Sequence, residues 1–209
     1  MSTHTCETLL KQPLDIHVGD IVVGKTGARN ASLGSGPELE PIRIALSKSP
    51  SLSTPFVPTA FDGGDRVSLD IRGPTELQEV INKIDTTIKT YVIKHKAKYW
   101  KKAPSDAELE SYYTPLLRRP DNDKYSPTIR TKMTLGDSPS AKFWTHKKAP
   151  LSHNNIDWRN SEFAVQIRLK SVWFQSNKSF GCYAEVEHVM VRQSDSSCPF
   201  EGDKSDDES

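Results

Sequence analysis

The chain has 209 residues, a net charge of +1, and 35% hydrophobic against 26% charged residues, enough for one sizeable core with tails to spare. No window approaches the run of about 20 apolar residues that a transmembrane helix needs, and the N-terminus "MSTHTCETLLKQP" lacks the basic-then-apolar pattern of a signal peptide. Cys6, Cys182 and Cys198 are too few and too scattered for a disulfide framework or a clustered zinc site, so a soluble, intracellular protein without metal or cofactor is expected.

The balanced charge hides a basic middle, Lys89 to Lys148, and an acidic end, where Asp195, Glu201, Asp203, Asp206, Asp207 and Glu208 face Lys204 alone. Such a division suits a polyanion partner and a tail that competes for the same surface, although acidic tails also serve solubility alone.

In chain order, "LDIHVGDIVVGK" reads as a strand and "TGARNASLGSGPELEP" as a Gly/Ser/Pro-rich linker. "PIRIALS" is a short strand, and "KSPSLSTPFVPTAFDGG" a loop too rich in proline for a ladder interior. "DRVSLDIR" alternates Val67, Leu69 and Ile71 against polar residues, the pattern of a half-buried strand. The period then changes: Leu77, Val80, Ile81, Ile84, Ile88, Val92 and Tyr99 share a helical face. Thr75 with Gln78 reads as a capping box that starts a helix from Glu76 to about Lys102. Ser105 with Glu108 opens a second, short helix. "TIRTKMTL" is again a strand, with Arg130 and Lys132 opposite Ile129 and Met133. A long basic loop carries Trp144 and Trp158, and "EFAVQIRLKSVWF" and "FGCYAEVEHVMV" flank "QSNKS" as a β-hairpin. Strands, one long helix and more strands predict a mainly β fold: an oligonucleotide-binding Greek-key barrel with its helix between the third and fourth core strands. An α+β sheet with one packed helix fits nearly as well.

"GDIVVGKT", Gly19 to Thr26, matches the phosphate-loop pattern. Its middle residues Ile21, Val22 and Val23 are β-branched and suit a strand, and no helix is predicted after Thr26 to aim its N-terminus at a phosphate. A nucleotide hydrolase is therefore disfavoured, and no other catalytic constellation is present; His188 reads as an inward-facing core histidine.

Binding features are stronger. Arg130 with Lys132 and Arg168 with Lys170 are basic pairs on two strands, each opposite an apolar set. Lys142, Lys147 and Lys148 lie in a loop with Trp144. Cations for phosphates and flat rings for unstacked bases are what single-stranded nucleic acid requires. Trp144, Phe174 and Tyr183 are the stacking candidates, with Trp158 a weaker one, while Trp173 alternates with the inward set and reads as core. A hairpin register pairing Arg168 with Glu187 and Lys170 with Glu185 would neutralise one basic pair across the strands.

"YTPLLRRPDNDKYSPTIRTKM", "IRLKSVWFQSNKSFGCYAEVEHVMV" and the long helix after "DRVSLDIRGP" together resemble the single-stranded-DNA-binding proteins of large nucleocytoplasmic DNA viruses, themselves similar to the replication binding proteins of short-tailed phages. The resemblance covers about residues 40–192, and its most specific piece is Val172-Trp173-Phe174 followed by Phe180-Gly181-Cys182. It implies a non-enzymatic barrel that coats single strands in replication, recombination or repair, in the nucleus or at a cytoplasmic viral replication site. It also implies a tail, including Phe200, that contacts replication partners such as a polymerase or helicase-primase; the chain ends in "DDES" rather than in the aromatic residue of the phage pattern. Three regions follow: an N-terminal strand and linker (1–40), the binding domain (41–192) and an acidic tail (193–209). A homodimer is compatible with this organisation, and no membrane partner is expected. The rival reading is a protein-interaction or virion structural domain of the same fold.

Overall fold

The computed structural model describes residues 3–193 apart from positions 13, 61–63, 123 and 137. Its elements in chain order are β1 (Thr3–Thr5), α1 (Cys6–Lys11), β2 (Ile16–Val23), β3 (Arg29–Ser35), β4 (Ile42–Ala45), β5 (Thr59–Ala60), β6 (Arg66–Ile71), α2 (Thr75–Lys94), α3 (Lys96–Tyr99), α4 (Asp106–Tyr112), β7 (Tyr113–Thr114), β8 (Leu117–Arg118), β9 (Thr128–Thr134), β10 (Lys142–Thr145), β11 (Ser161–Phe174) and β12 (Phe180–Gln193). The protein is mainly β, with one long helix packed on an open mixed sheet. The predicted apolar sets are buried: Val67, Leu69 and Ile71 on β6, Ile129 and Met133 on β9, and Leu77, Val80, Ile81, Ile84, Ile88 and Val92 on α2.

Helix boundaries differ from the sequence reading at two points. Pro74, not Thr75, is the N-cap of α2, so the Thr75–Gln78 box does not form; Gln78 instead donates from its side chain to the Gly73 carbonyl at 3.3 Å. At the other end, His95 takes φ −109° and ψ 25° and closes the helix at Lys94, eight residues short of Lys102, with Nδ1 beside the Tyr91 carbonyl at 2.8 Å. Tyr99 still reaches the core, from the separate turn α3. The box at Ser105 and Glu108 forms in full and starts α4.

The main ladder runs β1-β4-β11-β12-β9-β6-β5. β11 and β12 form the long antiparallel hairpin, β9 joins β12 in parallel at Lys132 and Glu185, and β6 lies antiparallel to β9. Residues 52–53 then connect β11 to the end of β6. Leu52 exchanges two backbone hydrogen bonds with Phe163 of β11 (2.9 and 2.8 Å), and Ser53 exchanges two with Arg72, just past β6 (3.2 and 2.8 Å). Taking β4 with residues 52–53 as one broken strand, α2 follows the second strand of this circuit rather than the third. β2 pairs with β3, and β3 lies on β11 at Ser171–Phe174. The stretch read as linker thus contains a strand: Ala31 and Leu33 are buried on alternate positions, and Gly34 is required because a Cβ there would sit 2.2 Å from the Leu39 backbone. The predicted basic loop likewise holds a strand, β10, which pairs in parallel with His188–Val191.

Two register shifts interrupt the hairpin. Gln166 and Ile167 face His188 and Val186, so Glu187 is extra on β12; Leu169 and Ser171 face Ala184 and Tyr183, so Lys170 is extra on β11. An extra residue reverses which face all later side chains occupy. Beyond Lys170, Val172 and Phe174 are therefore inward and Trp173 is half-buried on the outer face; His188 is likewise on the outer face, not the inward one expected.

Candidate nucleic-acid interface

The phosphate-loop match folds as β2 and a hairpin turn. Gly24 donates to the Ala28 carbonyl at 2.7 Å, Gly27 takes φ 78°, and β3 follows. No helix N-terminus stands after Thr26, so the segment lacks the anion-binding end that the motif needs.

The outer faces of β6, β9 and β12 form a basic strip. The ladder places Ser68 beside Lys132 and Asp70 beside Arg130, and joins Lys132 to Glu185. The Arg66 guanidinium lies 4.7 Å from the Tyr183 ring centroid and the Lys170 ammonium 5.8 Å from it. A cavity of about 180 Å³ opens among Arg130, Lys132, Trp173, Tyr183 and Pro115. Trp173 lies opposite Gly181, where a Cβ would come within 2.7 Å of the indole ring and 2.6 Å of the Thr114 carbonyl. Glycine at this position is what lets the ring lie against β12. Lys132 donates to Ser68 Oγ at 2.6 Å, and burial, then the neighbouring Arg130 and Arg66, hold its ammonium below the ordinary lysine range. Cations that repel one another in a partly desolvated cluster favour an incoming anion.

The strip continues past the Asp70–Arg130 ion pair (3.9 Å) into a second cavity of about 320 Å³. Arg72, Arg118, Phe56 and Tyr125 line it, and the two rings are the most exposed aromatics among the described residues named here, at 65% and 54%. The segment that brings Arg118 to it is held by Asp85 of α2. This buried carboxylate accepts from Tyr113 Oη (2.6 Å), Leu116 N (3.0 Å) and Leu117 N (3.2 Å), and so fixes the segment that ends in Arg118. Burial, the dominant influence, raises the Asp85 carboxyl above its ordinary range despite these bonds.

A further group forms around β10. Trp144 stacks on His188 at 6.3 Å and donates to its Nδ1 at 3.3 Å, and Lys148 and Lys48 line the adjoining cavity of about 360 Å³. Lys142 and Lys147 are exposed nearby in the chain. His188 is five residues along β12 from Tyr183, or about 17 Å at the usual rise of a strand.

Of the residues selected from sequence, Arg130, Lys132 and Tyr183 come together, with Lys170 at their margin. Lys170 is held by both carboxylate oxygens of Glu185 at 2.9 Å, so the expected contact forms, but in a different register: Arg168 faces Glu185 in the ladder and Lys170 is the extra residue. Glu187 instead takes Arg43 of β4 at 2.7 Å, so the expected Arg168–Glu187 pair is not made; Arg168 lies between Arg43 and Glu185 in the ladder with its Nε buried and without a hydrogen bond. Lys142, Trp144, Lys147 and Lys148 belong to the separate group around β10. Phe174 is buried and stacks on Tyr99 at 5.1 Å, and Trp158 is buried against Phe163 at 5.4 Å, so neither can stack on a base. The tail residues Phe200, Glu201, Asp203, Asp206, Asp207 and Glu208 lie outside the described residues. Sequence reasoning missed Trp173, Arg66, Arg72, Arg118, Phe56 and Tyr125. The outward alternation of Arg66 was a usable signal; the position of Trp173 depends on the extra residue at Lys170, which no pattern marks.

No family model matches the sequence, and no curated protein matches it. Among solved structures the chain is similar to the single-stranded DNA-binding protein from bacteriophage Enc34, with 20% identity, a TM-score of 0.43, and coverage of 91% of this chain and 94% of that one. The same phage protein in complex with single-stranded DNA gives 20% identity and a TM-score of 0.41 over 86% of this chain and 93% of that one. Its C-terminal truncation gives 18% identity and a TM-score of 0.42 over the same shares of the two chains.

Proposed function

We propose that this chain is a non-enzymatic single-stranded-DNA-binding protein whose strand lies along the outer face of β6, β9 and β12. The observation that carries the reading is the half-buried pair Trp173 and Tyr183 set among Arg66, Arg130 and Lys132 on one open face. Cations hold phosphates and ring faces stack on bases of any identity, so binding is largely independent of sequence and sensitive to salt. A surface that only paired with an acidic protein would have no need of rings beside its cations.

The circuit through residues 52–53 supports reading the fold as an oligonucleotide-binding barrel, whose second and third strands and first loop form the binding face. Here those strands are β6 and β9, and the loop carries Phe56. In this reading the acidic residues 193–209 compete with DNA for the strip and contact replication proteins, in a virus or phage replication setting. Lys142, Trp144, Lys147 and Lys148 extend the path toward β10.

Fluorescence anisotropy of labelled single-stranded and duplex oligonucleotides tests the proposal. Preference for the single strand is expected, with tighter binding when residues 194–209 are deleted. Failure of both the full chain and the deletion variant to bind single strands at low salt would refute it.

A further inference from the structure

The cavity of Phe56 and Tyr125 has chemistry that a purely sequence-independent grip does not need. Two of the residues that line it carry a buried polar atom, Asp70 Oδ1 and Arg72 Nε, that makes no hydrogen bond within the protein. One is an acceptor and the other a donor, on residues of one strand end. Asp70 Oδ1 lies 3.9 Å from Arg130 Nε, Lys132 is a second cation within its electrostatic reach, and its side chain is 16% exposed. A buried carboxylate oxygen without a hydrogen bond is costly to keep, and so is a buried guanidinium N–H. Beside them stand two exposed rings and the exposed Arg118, and the volume of about 320 Å³ is at the lower end for a small-ligand pocket.

We propose that this cavity receives a guanine base turned out of the bound strand, which gives the protein a single base-selective position. The inference rests on the single-strand-binding reading. A carboxylate can only accept, and it accepts best from two adjacent donors. Guanine alone offers these on its Watson–Crick edge, at N1–H and N2–H, with the O6 acceptor next to them for an arginine. Thymine has one donor between two carbonyl oxygens, which would face the carboxylate unfavourably. Adenine and cytosine each present an amino group beside an acceptor nitrogen, so only one bond forms. Phe56 and Tyr125 supply ring faces for the base, as unstacked bases in single strands require. Arg72 reaches O6, and Arg118 takes the flanking phosphate.

The test compares thymidine strands of about fifteen nucleotides, near the upper site size of one such barrel, with strands carrying a single central dG, dA or dC. The readout is the ratio of affinities within each protein, so a general loss of binding in a variant does not affect it. For the unsubstituted protein the dG strand should bind on the order of tenfold more tightly than the all-thymidine strand, with no such gain for dA or dC. Asp70→Asn should bring the ratio near one, because the amide offers a single acceptor. Tyr125→Ala, on an exposed loop where folding is not at stake, should also reduce it. Equal binding of all four strands by the unsubstituted protein would overturn the inference, as would a dG gain that persists in Asp70→Asn. Absence of binding to every strand would instead refute the single-strand reading itself.

Discussion

Asp85→Ala removes a side chain through which the long helix holds the segment that ends in Arg118. Two buried backbone amides, Leu116 and Leu117, lose their acceptor, and Tyr113 loses the partner of its hydroxyl. Each buried amide left unpaired costs about 1–3 kcal/mol. The half-buried Tyr113 can rehydrate, and removal of a carboxylate that is itself costly to bury offsets part of the loss. The balance is about 3 kcal/mol of destabilisation, or a fall of roughly 1–1.5 M in the urea midpoint at about 2–3 kcal/mol per M. Asp85→Asn keeps one acceptor and should lose about half as much. It also separates the effect of charge. The native carboxyl titrates above its ordinary value of 3.8 because it is buried. Its contribution is therefore fully present below the unfolded value and lost as pH rises through the native one. Relative to Asp85→Asn, the unsubstituted protein should lose stability as pH rises across that window. Urea unfolding followed by tryptophan fluorescence at several pH values measures both effects. A midpoint for Asp85→Ala within about 0.3 M of the unsubstituted protein, or a difference from Asp85→Asn that grows in the opposite direction with pH, would refute the reasoning.

Gly181→Ala should displace the Trp173 ring, since the new Cβ would lie 2.7 Å from it; a shift in tryptophan emission and weaker single-strand binding are expected, with about 1–3 kcal/mol of lost stability. Phe174→Ala should lower stability by about 3–5 kcal/mol as a core deletion, whereas Trp173→Ala should mainly weaken DNA binding; equilibrium unfolding and anisotropy on both variants separate the two. His188→Ala removes the acceptor that Trp144 Nε1 uses, so the tryptophan emission maximum should shift in steady-state fluorescence, and an unchanged spectrum would count against that contact.

The sequence disclosed elements whose pattern is continuous. The α2 face, the Ser105–Glu108 box, the β6 and β9 alternation and the hairpin of β11 and β12 follow from periodicity and capping alone. It did not disclose single extra residues. Lys170 and Glu187 each shift the register by one, which leaves composition unchanged but turns Trp173 outward, Phe174 inward and His188 away from the core. Strands fixed by their partners were also hidden: β10 exists because β12 offers it an edge, and β3 because β2 and β11 flank it. The candidate site shows the same division. Arg130 and Lys132 were visible as an outward pair on a strand, while Phe56 and Tyr125 come from proline-rich loops and Arg118 from the two-residue strand β8, and their convergence is a tertiary fact.

In the proposed grip, phosphates are held by the strip of Arg66, Arg118, Arg130 and Lys132. The most direct measurement is the slope of log affinity against log salt for single-strand binding. About four phosphate contacts predict a slope of roughly −2.8. The Arg130→Ala, Lys132→Ala double variant should bind more weakly and reduce the magnitude of that slope by about 1.4. A double variant with the same slope as the unsubstituted protein would contradict the account, because the phosphates would then lie elsewhere.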